Sequence, residues 1–165
     1  MSPRPLDLLV VDDHRLTRAI IGEILSAIGR PRIRFAEDGA EAIEQILLSP
    51  PDIAVVDFHM PFDGIALLDF IRRAARSPDP SLPVIIMTSM TERSRVEAFR
   101  DAGADEIIVK PFTAKTVLSR IAAVIDRPRA FIHSRQFVGP DRRRSVEPYD
   151  GPSRRQTDNR LWVDL

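Results

Sequence analysis

The run Ile53-Ala54-Val55-Val56-Asp57-Phe58-His59-Met60-Pro61 constrains the fold more than any other stretch of the chain. Four apolar residues follow one another without alternation and stop at a carboxylate. Continuous runs of this length belong to strands buried on both faces, as in parallel sheets covered by helices. Pro50-Pro51 blocks a helix before the run, and Pro61 closes it. The strand therefore delivers Asp57 to the carboxyl edge of the sheet, where ligands bind in open α/β folds.

The remaining chain repeats that plan. Leu6 to Val11 is a second buried strand ending on Asp12 and Asp13. Apolar residues at helical spacing predict helices over Arg15–Ile28, Ala40–Leu48, about Gly64–Arg76 and Glu92–Ala102. A last helix follows Thr113, which is placed to cap it. Short strands are predicted at Ile33–Ala36, Val84–Met87 and Glu106–Val109, the last two ending at Thr88-Ser89 and Lys110-Pro111. Five alternations of strand and helix predict a doubly wound, five-stranded parallel α/β sheet with helices on both faces.

Composition agrees with one domain and an extension. The chain has 165 residues, of which 44% are apolar, enough for a packed core. It has no cysteine, which excludes disulfides and thiolate metal sites and suits a reducing compartment. Residues 1–5 lack the apolar core of a signal peptide, and no apolar run reaches the length of a membrane span. A soluble, cytoplasmic protein is the expectation. The formal net charge is +0, yet residues 126–165 hold nine basic residues, all arginine, against six acidic ones. The expected division is a domain over 1–125 and an arginine- and proline-rich tail over 126–165, disordered unless bound.

Four of the five strands end in a functional group: Asp12 and Asp13, Asp57, Thr88, and Lys110. A parallel sheet sets these ends side by side. Carboxylates packed together repel unless a cation intervenes, and a hard divalent ion with oxygen ligands, Mg²⁺ first among them, resolves that. Carboxylates, Mg²⁺, a lysine and a threonine fit phosphoryl transfer, where positioning and charge neutralisation do most of the catalysis. Any one of these residues alone reads as a polar cap on a buried strand; their coincidence at four strand ends does not. His14, His59 and His133 lie on separate segments without metal-ligand spacing and read as solvated or locally bonded side chains. A small-molecule enzyme on the same fold is a second reading, but no nucleophile stands beside a base.

Asp12-Asp13, Asp57-x-x-Met60-Pro61, Thr88 and Lys110-Pro111-Phe112 make residues 6–125 resemble the receiver domain of bacterial two-component response regulators, the CheY-like fold. The resemblance implies strand order 2-1-3-4-5 and a signalling protein rather than an enzyme. It implies that Asp57 accepts a phosphoryl group from a sensor histidine kinase or phosphotransfer protein, with Thr88 and Lys110 assisting. Asp13, Asp57 and the backbone carbonyl of His59 would hold Mg²⁺, with Asp12 acting through water. Lys110-Pro111 would be cis. Two features depart from the family pattern. Ile107 stands where an aromatic switch residue is usual, and the loop from Phe58 to Gly64 is one residue short.

The tail contains an internal echo. Phe137-Val138-Gly139-Pro140-Asp141-Arg142-Arg143 is matched by Tyr149-Asp150-Gly151-Pro152-Ser153-Arg154-Arg155. Its apolar content is too low for a helix-turn-helix, so no DNA-binding domain is expected. Arginine pairs bidentately with phosphate and with a guanine edge, and aromatic rings stack on bases. Two such units suit a dinucleotide such as cyclic di-GMP, and Arg155 to Asp158 has the Arg-x-x-Asp spacing of sites that bind it. The tail is similar to the arginine-rich stretch of the CheY-like cyclic-di-GMP effectors, the Cle group. That similarity implies a ligand site including Arg135, Phe137, Asp141, Arg142, Arg143, Tyr149, Arg154, Arg155 and Asp158, with the flagellar motor as a possible target. Nucleic acid, acidic membrane or another protein is the alternative partner of so basic a tail.

Overall fold

The computed structural model describes residues 4–60, 64–89 and 93–142. Five strands, β1 (Asp7–Val11), β2 (Arg32–Ala36), β3 (Ile53–Asp57), β4 (Val84–Thr88) and β5 (Glu106–Val109), form one parallel sheet in the order β2-β1-β3-β4-β5. Five helices alternate with them: α1 (Arg15–Leu25), α2 (Gly39–Leu48), α3 (Gly64–Arg73), α4 (Arg93–Asp101) and α5 (Ala114–Asp126). The doubly wound fold and its strand order are as expected.

Alternate side chains of each buried strand feed two separate cores. Leu9, Val11, Ala54, Val56, Val84 and Ile86 pack with Ile46 of α2, Leu67, Leu68 and Ile71 of α3, and Phe99 of α4. Leu8, Val10, Val55, Ile85, Met87 and Ile108 pack on the other face with Ile21 and Leu25 of α1 and Val117 and Ile121 of α5. Burial on both faces is why these strands read as unbroken apolar runs.

Two helices, α2 and α5, start on side-chain caps. The Asp38 side chain accepts from Glu41 N (2.8 Å) while Glu41 Oε2 accepts from Glu37 N (2.7 Å). Thr113 accepts from Thr116 N, the expected cap of α5. Two helix ends differ from the sequence reading. Beyond Leu25 the chain tightens into i-to-i−3 bonds, Ala27 N to Ile24 O and Ile28 N to Leu25 O, and then leaves through Gly29 and Arg30 at positive φ. Past Arg73, the Ser77 hydroxyl takes the Ile71 carbonyl (2.5 Å) and stops α3 short of Arg76.

The expected disorder from residue 126 onward is corrected over 126–142. Residues beyond α5 form an antiparallel hairpin, β6 (Phe131–His133) and β7 (Val138–Pro140), registered Phe131 to Pro140 and His133 to Val138. Phe131, Phe137 and Val138 are buried. They need no core of their own, because they dock on the amino edge of the sheet, against α3 and the residues leading into β4 and β5. Two glycines permit the approach. A Cβ on Gly103 would stand 2.7 Å from the Val138 carbonyl oxygen, and one on Gly139 would stand 2.7 Å from Gly103 Cα.

Arg72, 1% exposed, holds this seam. Its guanidinium donates to the carbonyls of Gly103 (3.0 Å), Pro80 (2.8 Å) and Leu82 (2.7 Å) and to Asp105 Oδ2 (2.9 Å), and lies 5.5 Å from the Phe131 ring centroid. Burial pushes the Asp105 carboxyl up to about 6, against the pull of Arg72 and the Val84 N–H. The same burial draws Arg72 down. Removing one member of such a pair costs about 3–5 kcal/mol, since the partner stays buried and uncompensated. Urea unfolding of Arg72→Met should show a loss of that order, while Arg73→Met, one residue on and exposed, should stay within about 0.5 kcal/mol. Equal stability of the two variants would contradict this role for Arg72.

Candidate phosphoacceptor site

The register sets the site. Val11 pairs with Val56, Asp57 with Met87, and Thr88 with Val109, so Asp12, Asp57, Thr88 and Lys110 emerge together at the carboxyl edge. Asp12 and Asp57 are buried, at 0% and 1% exposure, and Thr88 is buried beside them. Lys110 Nζ donates to Asp57 Oδ1 at 2.8 Å and to Asp12 Oδ2 at 3.3 Å. Its own backbone N–H is anchored to the Thr88 carbonyl at 2.7 Å. The Lys110–Pro111 bond is cis.

Burial raises the Asp57 carboxyl above its ordinary range; the Lys110 hydrogen bond and charge oppose this, and the charge of Asp12 adds to it. For Lys110, burial pulls downward, and the hydrogen bond and charges of Asp57 and Asp12 outweigh it, so the ammonium is held above its ordinary range. Both effects describe one fact: two buried carboxylates share a single cation.

Asp13 is exposed and forms a compact group with Asp12 and His14, one potential ligand atom from each lying within 4.8 Å of the others. His14 Nδ1 is 2.8 Å from Asp13 Oδ1, the local bonding expected of that histidine. Asp57 is not a member of this compact group and joins Asp12 through Lys110. His59 sits exposed in the bend after β3, its ring edge-on to Phe58. Pro61 and the rest of the shortened loop through Asp63 lie outside the described residues. The donor set fits a hard divalent cation. Asp12 and Asp57 share one ammonium and Asp13 adds a third carboxylate beside Asp12, so negative charge is left over, and every carboxylate offers oxygen.

Two supporting residues escaped the sequence reading. Arg18 of α1 is buried and donates to the Asp12 carbonyl (2.6 Å) and to Glu37 Oε1 (2.7 Å), pinning the loop that carries both aspartates. A single arginine on an amphipathic helix gives no sign of such a bond. Gly64 opens α3 against the end of β3, where a Cβ would stand 2.7 Å from the Asp57 carbonyl oxygen. The glycine at a helix start just after the acidic loop was a usable signal. At the expected switch position, Ile107 is partly buried against the core of the α3 and α4 face. The aromatic contact toward α4 comes instead from Phe58, whose ring meets Phe99 edge-on at 4.9 Å.

The tail residues fall elsewhere. Arg135 is exposed in the hairpin turn, and Asp141 is half-buried just after β7. Phe137 is 6% exposed, with the Arg142 guanidinium 4.5 Å above its ring and Arg142 paired to Asp101 of α4. A base stacking on Phe137 has to take the place of Arg142. This cluster lies at the amino edge of the sheet, opposite Asp57. Arg143, Tyr149, Arg154, Arg155 and Asp158 lie outside the described residues.

Known proteins agree with this geometry. The response regulator receiver domain family matches residues 8–122. Response regulators MprA from Mycobacterium strains KMS and JLS are 36% identical over 124 residues, 74% of this chain and 52% of theirs. The chain thus spans about half the length of these curated relatives. The receiver domain of NtrX from Brucella abortus superposes with a TM-score of 0.64 at 31% identity, over 73% of this chain and 99% of that one. The chemotaxis response regulator CheY4 of Vibrio cholerae shares the fold, with a TM-score of 0.67 at 24% identity over 73% and 99% of the two chains. The chain therefore belongs to the response regulator receiver domain family, whose members accept a phosphoryl group on an aspartate.

Proposed function

We propose that Asp57 is the phosphoacceptor of a two-component phosphorelay and that the protein signals through contacts with partner proteins. The observation that carries this reading is Lys110 Nζ shared between Asp57 and Asp12 at the carboxyl edge of the sheet. An Asp57 carboxylate oxygen attacks phosphorus on a phosphohistidine donor. The new P–O bond forms as the P–N bond breaks, and the imidazole nitrogen keeps the bonding pair. Lys110 opposes the upward pull of burial on the Asp57 carboxyl and stands ready for the phosphoryl oxygens. Asp12, Asp13, Asp57 and the His59 carbonyl would hold Mg²⁺, which when bound neutralises charge on the transferring group. Thr88 lies in the same cluster as a hydroxyl donor. A sensor histidine kinase or phosphotransfer protein is the donor class.

The finer reading concerns the tail. The doubled Gly-Pro-x-Arg-Arg motif favours cyclic di-GMP over a generic polyanion, since arginine forks match both guanine edges and phosphates. A protein of the flagellar motor is one candidate target of the liganded form.

Acetyl phosphate with Mg²⁺ should label the protein. Asp57→Asn should not label, Asp13→Ala should label at least about tenfold more slowly, and EDTA should abolish labelling. Equal labelling in EDTA, or of Asp57→Asn, would overturn the assignment.

Arg18→Met should raise the Mg²⁺ concentration for half-maximal labelling by about tenfold or more, because the loop carrying Asp12 and Asp13 loses its anchor. Arg18→Lys should recover part of that loss. An unchanged Mg²⁺ dependence would reduce Arg18 to a packing residue.

Calorimetric titration of the whole chain should show cyclic di-GMP binding more tightly than GTP. Arg143→Lys and Arg155→Lys should weaken that binding by about tenfold each, since an ammonium cannot replace a fork. Full activity of the lysine variants would favour a generic polyanion tail.

A further inference from the structure

A cavity of about 430 Å³ opens between the C-terminal end of α3 and the β6–β7 hairpin. Its size suits a small organic ligand. Arg73 and Ser77 border it from α3 and the following loop, and His133, Ser134 and Arg135 border it from the hairpin. No aspartate or glutamate is among its lining residues. Arg72 also reaches its wall, but that guanidinium is spent on three carbonyls and Asp105.

The charge left in the cavity is positive and available. Arg135 and His133 make no side-chain hydrogen bond or ion pair among the described residues. Arg73 meets Asp69 at 3.4 Å one turn back, with both side chains about half exposed or more. Exposed pairs of that kind contribute little and yield readily to a better partner. The Ser77 and Ser134 hydroxyls are spent on the Ile71 and Phe137 carbonyls, which leaves two guanidinium groups, one from α3 and one from the hairpin, and an imidazole as the donors of the pocket. Forked guanidinium donors match phosphate oxygens two at a time.

We propose that this cavity binds a phosphate-bearing small molecule, held by Arg73 from the domain and by Arg135 and His133 from the hairpin. The ligand then straddles the seam between α3 and the C-terminal extension. It rests on the tail reading above only in taking Arg135 as a ligand residue, and it adds a domain residue, Arg73, that a self-sufficient tail does not need.

The test is calorimetry on the full chain at fixed ionic strength, with cyclic di-GMP, GTP and inorganic pyrophosphate as probes. The variants are Arg73→Gln, Arg73→Lys, Arg135→Gln and Arg155→Gln. Arg73 and Arg135 are exposed, so unfolding curves without ligand should match the parent. Loss of one charge-assisted fork should weaken the bound probe by about 10- to 100-fold in Arg73→Gln and Arg135→Gln, with Arg73→Lys between them and the parent. If Arg73→Gln binds cyclic di-GMP like the parent while Arg155→Gln does not, the cavity is not the site and the tail alone holds the ligand. If GTP or pyrophosphate binding depends on Arg73 but cyclic di-GMP does not bind, the cavity stands and the cyclic di-GMP reading falls. Binding of none of the three probes by the parent overturns the cavity proposal.

Discussion

Asp12 and Asp57 are buried within reach of one ammonium, that of Lys110, and the carboxyl edge of the sheet is organised around that imbalance. Burying a carboxylate costs several kcal/mol unless charge or hydrogen bonds compensate. Here the two carboxylates and their cation arrive from three strands. Asp12 follows the last residue of β1, β3 ends on Asp57, and the residue after β5 is Lys110, tied by its backbone to Thr88 at the end of β4. A register slip in any pair would separate charges that cannot be buried alone. The sheet therefore carries an electrostatic constraint as well as a packing one, and the excess negative charge at this edge fits a divalent cation.

Much of this was legible in the residues. β3 and β4, buried on both faces, read as apolar runs, and a run that stops on Asp57 or Thr88 marks its own end. Periodicity located the helices but not the ends of α1 and α3. Those ends depend on the Gly29 and Arg30 backbone and on the Ser77 hydroxyl, which are local events that an apolar stripe does not record. The roles of Arg18 and Gly64 rest on contacts that periodicity does not record, although the position of Gly64 at a helix start after the acidic loop is a usable signal. One acts through a hydrogen bond to a backbone carbonyl, the other through the absence of a Cβ next to Asp57.

The hairpin of residues 131–140 shows where compositional reasoning about disorder fails. Three buried apolar residues cannot sustain a domain, and the extension was accordingly expected to lack structure. Docking changes the requirement. Phe131, Phe137 and Val138 need only complete a surface that α3, Gly103 and Arg72 already provide. α3 is thereby placed between two regions of consequence. Its first residue, Gly64, lies against the Asp57 backbone, and its last, Arg73, borders the cavity beneath the hairpin. Arg142 closes over Phe137 and pairs with Asp101, so the extension also touches α4.

The central claim is that Asp57, and not its acidic neighbours, takes the phosphoryl group. Borohydride reduction of the phosphorylated protein followed by peptide mapping tests this directly, because only an acyl phosphate is reduced to the alcohol. Homoserine at position 57, with aspartate intact at 12 and 13, is the expected result. Homoserine at position 12 or 13, or at no position in a fully labelled sample, would contradict it.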